Sequence, residues 1–337
     1  MRAFVVVLSS FAATLVALGA SALLAKDAPV LTKTFVDHIN QLNGGMWRAV
    51  YNGKMQNITF SEAKRLTGAR IQKSSALPPA RFTEEQLRTK LPETFDAAEH
   101  WPHCPTIREI ADQSECRASW AVSTASAISD RYCTVGKGKQ LRISAAHLLS
   151  CCKDCGDGCK GGFPGFAWRY YVEYGITSSS CQPYPFPRCE HQGAQGNKTP
   201  CSKYNFDTPK CNATCTDKSV PLIKYRGNAT YLLLHGEEDY KRELYFNGPF
   251  VAVFYVYTDL FAYKSGVYRN VDGDFLGGTA VKVVGWGKLN GTPYWKVANS
   301  WDTDWGMDGY LLILRGNNEC NIEHLGFAGT PETSQLT

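Results

Sequence analysis

The chain has 337 residues, 44% of them hydrophobic, and a formal net charge of +5. That length holds one large core, or two lobes and a leading segment, and the composition is ordinary for a globular protein. The charge is mild, and there is no dense Lys/Arg run, internal repeat or zinc-finger spacing, so nothing points to nucleic acid.

In chain order, Met1-Arg2 precedes an apolar stretch from Ala3 to Ala25 that contains Ala20-Ser21-Ala22. One early cation, an apolar region and small residues predict a secretory signal peptide over 1–25. The run is just long enough to approach a membrane span, which leaves a signal anchor as the alternative. From residue 26, one amphipathic pattern starts at Thr34–Asn40 and another at Phe60–Leu66, with Gly44-Gly45-Met46-Trp47 between them. The Pro78-Pro79 region and Lys90 mark an extended, cleavable boundary. Ser119 to Tyr132 is rich in Ala and Ser with Trp120, Val122, Ala125 and Ile128, which predicts a buried helix. Residues 145–150 and 164–174 read as further helices. After about residue 220 the texture turns to β, with strands predicted over 251–256, 280–286, 294–298 and 310–314.

Twelve of the thirteen cysteines fall between Cys104 and Cys215, with Cys320 apart. In a secreted chain this density reads as a disulfide framework. Cys151-Cys152 and Cys155…Cys159 match zinc on spacing alone, but secretion favours disulfides and the histidines are wrongly placed, so no metal is expected. Spacing does not choose the pairing. Five N-x-[ST] acceptors, at Asn57, Asn197, Asn212, Asn228 and Asn290, fit passage through the secretory route.

The segment Gln113-Ser114-Glu115-Cys116-Arg117-Ala118-Ser119-Trp120 carries the sharpest signal. It resembles the nucleophile loop of papain-family cysteine proteases, C-G-[SA]-C-[WY]. Leu91-Pro92-Glu93-Thr94-Phe95-Asp96, Gly156-Asp157-Gly158-Cys159-Lys160-Gly161-Gly162, Tyr263-Lys264-Ser265-Gly266-Val267-Tyr268 and Asn299-Ser300-Trp301 follow in the family's order. Cys189-Glu190-His191, closed by Cys201, is similar to the occluding loop of cathepsin B. The chain is thus identified as cathepsin B-like.

That resemblance implies an α+β papain-like two-lobed fold, with a helical left lobe and an antiparallel, barrel-like β right lobe. It implies a pro-segment over 26–90 that runs through the cleft, a peptidase domain over 91–337 and an occluding loop over 189–201. It also implies six disulfides, Cys104–Cys133, Cys116–Cys159, Cys151–Cys211, Cys152–Cys155, Cys181–Cys215 and Cys189–Cys201, with Cys320 free. Gly161 and Gly162 match the backbone that pairs with an extended peptide. Trp301 matches the primed-side aromatic, and Leu325 falls near the floor of the main specificity pocket. His191 is expected to pair with Asp112. Gln192 replaces the second histidine of the occluding loop, on which recognition of a substrate's C-terminal carboxylate depends.

Two positions depart from the family's chemistry. Ser119 stands where the reactive cysteine belongs, and a hydroxyl needs a strong, well-placed base where a thiol does not. Thr279, in Gly277-Gly278-Thr279-Ala280, stands where the histidine base belongs, and threonine accepts no proton at neutral pH. Asn299 matches the residue that orients that histidine and is expected to make a local hydrogen bond near Trp301. Gln113 matches the side-chain donor of the oxyanion hole. Ser114, Glu115 and Arg117 also replace small family residues. Arg117 and Lys160 add positive charge near the groove, which would favour acidic peptides unless both are solvated surface cations.

Losses at both catalytic positions point to a non-catalytic homologue that binds peptides or unfolded protein segments, with cystatin-type inhibitors as further partners. The alternatives are a weak hydrolase using Ser119 with an unconventional base, and a structural secreted glycoprotein. The expected protein is a monomer of the lysosome or extracellular space, with no cofactor, no nucleic acid and no membrane after signal cleavage.

Overall fold

The structure, a computed structural model, describes residues 28–51, 55–70, 77–136, 138–190, 198–332 and 334. The expected signal peptide, His191, Gln192 and Asn197 lie outside the described residues. No helix among the described residues is long and apolar enough to cross a membrane.

The leading residues fold first into α1 (Lys33–Leu42), capped by Thr32, whose side chain accepts from the Phe35 amide. Strand β1 (Trp47–Ala49) and α2 (Phe60–Leu66) follow. Helix α2 opens with a capping box: the Thr59 hydroxyl takes the Glu62 amide, and the Glu62 carboxylate takes the Thr59 amide. Both helices sit where the amphipathic patterns predict them.

The helical lobe is built on α5 (Ser119–Thr134), preceded by α3 (Glu84–Arg88) and α4 (Ala97–His100) and joined by α6 (Ala145–Cys151) and α7 (Pro164–Glu173). Helix α5 is buried almost all round, and two of its small polar residues are satisfied within the helix. Thr124 donates to the Trp120 carbonyl at 2.7 Å and Ser129 to the Ala125 carbonyl at 2.6 Å. Ala and Ser are small enough to let neighbours approach on every side, and each buried hydroxyl keeps a partner.

The other lobe is a nine-stranded sheet. Its remaining strands are β2 (Phe95–Asp96), β3 (Gly227–Leu233), β4 (Phe250–Tyr257), β5 (Tyr263–Tyr268), β6 (Phe275–Leu289), β7 (Thr292–Ala298), β8 (Tyr310–Leu314) and β9 (Gly326–Pro331). The order is β1-β5-β8-β7-β6-β4-β9-β3, with β2 on β6. All named pairs are antiparallel except β5–β8, which is parallel. One further helix, α8 (Glu237–Asn247), precedes β4.

Two hydrophobic clusters define two lobes. One holds Trp120, Ile128, Trp168 and Tyr171 of the helical side. The other holds the sheet core, including Val281, Trp286 and Trp295, together with Val36, Ile39, Trp47, Ile58 and Leu66 of the leading segment. Strand β1 pairs directly with β5, Trp47 opposite Gly266. The leading segment is therefore part of the sheet lobe's core.

Charge ties the C-terminal half of α5 to the sheet lobe. The buried Arg131 guanidinium faces Glu243 at 2.7 Å and donates to the carbonyls of Pro249, Gly248 and Gly329. Next to it, buried Asp130 faces Lys282 of β6 at 2.7 Å. Burial pushes the Asp130 carboxyl up, and Lys282 works against that shift. Removing one partner of either pair would leave an uncompensated buried charge.

The structure bonds Cys104–Cys133, Cys116–Cys159, Cys151–Cys211, Cys152–Cys155, Cys181–Cys215 and Cys189–Cys201, and leaves Cys320 free. His103 lies beside Cys104 and Cys133, but their sulfurs are bonded to each other and are not metal ligands.

Candidate functional site

The site lies where the start of α5 meets β6. Ser119 is the first residue of α5 and fully buried. Its Oγ accepts from the Ala280 amide at 3.2 Å, and one turn along, Ser123 Oγ donates to the Ala280 carbonyl at 2.8 Å. Two hydroxyls four residues apart on a helix share a face, so they clasp both backbone groups of one strand residue and fix the helix against it. This register places Thr279 beside the nucleophile position.

Thr279 is fully buried on β6, opposite Phe254 of β4. Strand β6 runs between β4 and β7. At Thr279 the strand is paired only with β4, because its pairing with β7 begins at Lys282. Thr279 Oγ1 has no hydrogen-bond partner, and neither has Asn299 Oδ1 or Nδ2. The expected local hydrogen bond of Asn299 near Trp301 is therefore corrected. The group that an amide at this position would orient is an imidazole, and a threonine side chain is too short to replace it.

Gln113 is buried and fixed at both ends. Its Oε1 accepts from Ser300 Oγ at 2.7 Å. Its Nε2 donates to the Cys116 carbonyl at 2.9 Å and to the Leu66 carbonyl at 3.2 Å. Trp301 Nε1 reaches the same Leu66 carbonyl at 3.2 Å, while the Trp301 ring stacks on Phe261. Leu66 ends α2, so its carbonyl is one that no helical amide satisfies. Gln113 Nε2, the side-chain donor expected to face a reacting carbonyl, is thus directed at a carbonyl of the chain's own leading segment, and Trp301 joins it there.

That segment continues through the groove as extended chain. The amides of Gly68 and Ala69 donate to the Gly278 carbonyl at 3.0 Å. Gly162 donates to the Gly68 carbonyl at 3.0 Å and accepts from the Arg70 amide at 2.8 Å. A Cβ on Gly68 would lie 2.6 Å from the Arg117 carbonyl and 2.8 Å from Ser119 Oγ, so only glycine passes here. Gly162 is equally constrained: a Cβ would meet the Cys155 carbonyl at 2.5 Å and the Trp120 ring at 2.7 Å. Gly161 lies buried beside it, and Lys160 is exposed. Leu325 is half-buried against the cluster that contains Ala69 and Trp120.

The substituted loop is held on three sides. Cys116–Cys159 ties it to the Gly161-Gly162 wall. Ser114, with φ of 55°, donates to the Pro187 carbonyl at 2.6 Å, and its amide donates to Asp112 Oδ1 at 2.8 Å. Glu115 pairs with Arg65 at 2.9 Å. Arg117 Nε donates to the Thr67 carbonyl at 2.9 Å. Burial, with the neighbouring Arg70 charge, holds Arg117 below the ordinary guanidinium value. Arg117 is engaged with the leading segment, so the reading of it as a solvated cation is corrected.

The ends of the loop closed by Cys189–Cys201 rest on Asp302. Its buried carboxylate takes Arg188 on one side and Lys198 at 2.6 Å on the other, and Lys198 also reaches Asp304 at 2.9 Å. Spacing alone offered no signal for this arrangement, because Asp302 lies 114 and 104 residues from its two cations. Among the glycosylation acceptors, Asn212, Asn228 and Asn290 are exposed and Asn57 is half-buried.

Residues 91–330 match the family model described as papain family cysteine protease. The chain is 39% identical over 316 residues to a cathepsin B-like cysteine proteinase of Schistosoma japonicum, covering 90% of this chain and 92% of that one. It is 40% identical over 318 residues to cathepsin B-like cysteine proteinase 6 of Caenorhabditis elegans, covering 90% and 84%. Among solved structures, it is similar to proCathepsin B S9 from Trypanosoma congolense, at 86% identity and a TM-score of 0.86 over 91% of this chain and all of that one. Two lobes with a cleft between them, a zymogen fold, the disulfide framework and these likenesses agree: the chain belongs to the papain family of cysteine proteases, on its cathepsin B-like branch.

Proposed function

We propose that this protein is a cathepsin B-like peptidase homologue that holds extended peptide in its groove without cutting it. Residues 26–90 are its pro-segment and 91–337 its peptidase-like domain, delivered by a signal peptide to the lysosome or extracellular space. The observation that carries the reading is the bonding of Ser119. Its Oγ accepts from a backbone amide, and the side chains at the base and orienting positions, Thr279 and Asn299, have no partner at all. A serine hydroxyl is a poor nucleophile until a neighbour takes its proton. None of the described histidines bonds to Ser119: His147 takes the Thr177 amide, His38 faces Asp272 and His235 faces Asp239.

The groove itself supports binding. Gly162 offers a backbone donor and acceptor to an extended chain, and Leu325 presents an apolar wall beside it. Peptides, unfolded protein segments and cystatin-type inhibitors that plug the groove are the partners this geometry suits. None of these needs a reactive thiol.

The test compares the natural protein, its pro-segment removed by an added protease, with the Ser119→Cys/Thr279→His variant. Dipeptidyl fluorogenic substrates read turnover, and cystatin binding reads the groove. A silent natural protein, an active variant and equal cystatin binding are the expected result. Turnover by the natural protein that Ser119→Ala abolishes would overturn it in favour of a serine mechanism.

A further inference from the structure

Three loop positions carry larger side chains than the small residues usual in this family, and two of them contact one short stretch of the leading segment. Glu115, almost fully buried, accepts from Arg65 Nε at 2.9 Å. Arg117 Nε donates to the Thr67 carbonyl at 2.9 Å, and its Nη2 reaches the Thr67 hydroxyl at 3.4 Å. Gly68 then lies against the Arg117 carbonyl, and Arg70 pairs with Asp157 of the neighbouring Gly156–Gly162 segment. The stretch Lys64–Arg70 carries three cations and no acid. It meets two carboxylates, Glu115 and Asp157. The third substituted residue, Ser114, contacts Pro187 instead.

A working protease must release this stretch to expose its nucleophile. Contacts from the nucleophile loop to the stretch oppose release, and small residues there make no such contacts. We propose that Glu115 and Arg117 are a clamp that keeps residues 65–70 of this chain in the groove after the connection behind them is cut. The groove's standing occupant is then the protein's own segment, and a foreign peptide or inhibitor enters only by displacing it. This deepens the proposed function by naming the peptide, and it rests on residues 26–90 being a cleavable pro-segment.

The experiment uses the full chain with a site for a sequence-specific protease inserted between Lys90 and Leu91. After cutting, the released piece is followed by gel filtration and by the loss of a fluorophore attached to it. The natural piece co-elutes with the larger fragment. Glu115→Ser/Arg117→Gly raises its dissociation rate by about tenfold to a hundredfold, from one lost ion pair and the two lost hydrogen bonds of Arg117 to Thr67. Arg65→Glu also raises it, and Glu115→Arg in the same chain restores retention. The paired swap leaves the packing of Ile39, Ile58 and Leu66 untouched, so restoration separates the clamp from general burial. Equal retention by the natural and reverted loops, or a swap that restores nothing, would overturn the proposal. These readouts involve no substrate, so turnover by the natural protein would sink the proposed function and leave the clamp standing.

Discussion

The two walls of the cleft have answered substitution in opposite ways. On the nucleophile loop every enlarged side chain has a partner: Ser114 has Pro187, Glu115 has Arg65 and Arg117 has Thr67. On the facing wall Thr279 and Asn299 are buried with three polar atoms unsatisfied. A buried polar atom without a partner forfeits about 1–3 kcal/mol of desolvation. One wall uses its enlarged side chains to make contacts, while the other buries polar side chains without partners.

The largest effect should come from restoring both walls together. Ser119→Cys/Thr279→His is expected to raise turnover of a fluorogenic dipeptide by more than about 10³-fold over either single change, because a nucleophile and its base act as a unit. Either single variant matching the double one would break the contrast.

Next in size is the pH dependence of folding, which the missing cleft histidine leaves to other groups. His147 is buried, accepts from the Thr177 amide, and is pulled down to about 4 by burial and then by Lys224. Its folded pKa lies below the unfolded value near 6.5, so the folded state binds fewer protons in that window. Stability from this group is complete above pH 6.5 and falls by about 3 kcal/mol as pH drops to 4. Asp259 runs the other way: burial raises it to about 6, against hydrogen bonds from Tyr268 and Val271. The folded state then binds more protons between pH 4 and 6, and stability falls as pH rises through that range by about 3 kcal/mol. The two offset each other in the intact protein. Urea denaturation of His147→Gln should uncover the aspartate slope, and that of Asp259→Asn the histidine slope. A flat profile in both variants would assign the pH response elsewhere.

The smallest test deletes one hydroxyl from each wall. Thr279→Val removes an unsatisfied oxygen at nearly constant volume, and should be neutral or stabilising by about 1 kcal/mol. Ser114→Ala removes a bonded hydroxyl and keeps the positive φ, so it should cost about 1 kcal/mol. Equilibrium urea unfolding reads both, and equal signs would mean that the walls do not differ.

Much of this was legible before the fold. The amphipathic pattern at Phe60–Leu66 is a helix with those same ends, and the helix predicted from Ser119 begins there. Strands appear at all four predicted places, though β6 extends from Phe275 to Leu289, well beyond the apolar run that marked it. Its extra residues are held by pairing with β4 and β7, which local pattern does not encode. Thr279 was visible as a non-base but not as a buried, unsatisfied residue. Glu115 and Arg117 were visible as departures, while their partners lie fifty residues upstream.

Residue identity alone determined the chemistry available: a hydroxyl for a thiol, a threonine for an imidazole, and a cysteine set suited to disulfides. Those are properties of side chains, and no fold can give threonine a basic nitrogen. Tertiary structure decided which groups meet. It turned the Leu66 carbonyl toward Gln113 and Trp301, set Arg65 on Glu115, and brought Arg188 and Lys198 onto one aspartate. Such pairings depend on how distant segments pack, and hydrophobic burial fixes that packing without regard to the polar groups it brings together.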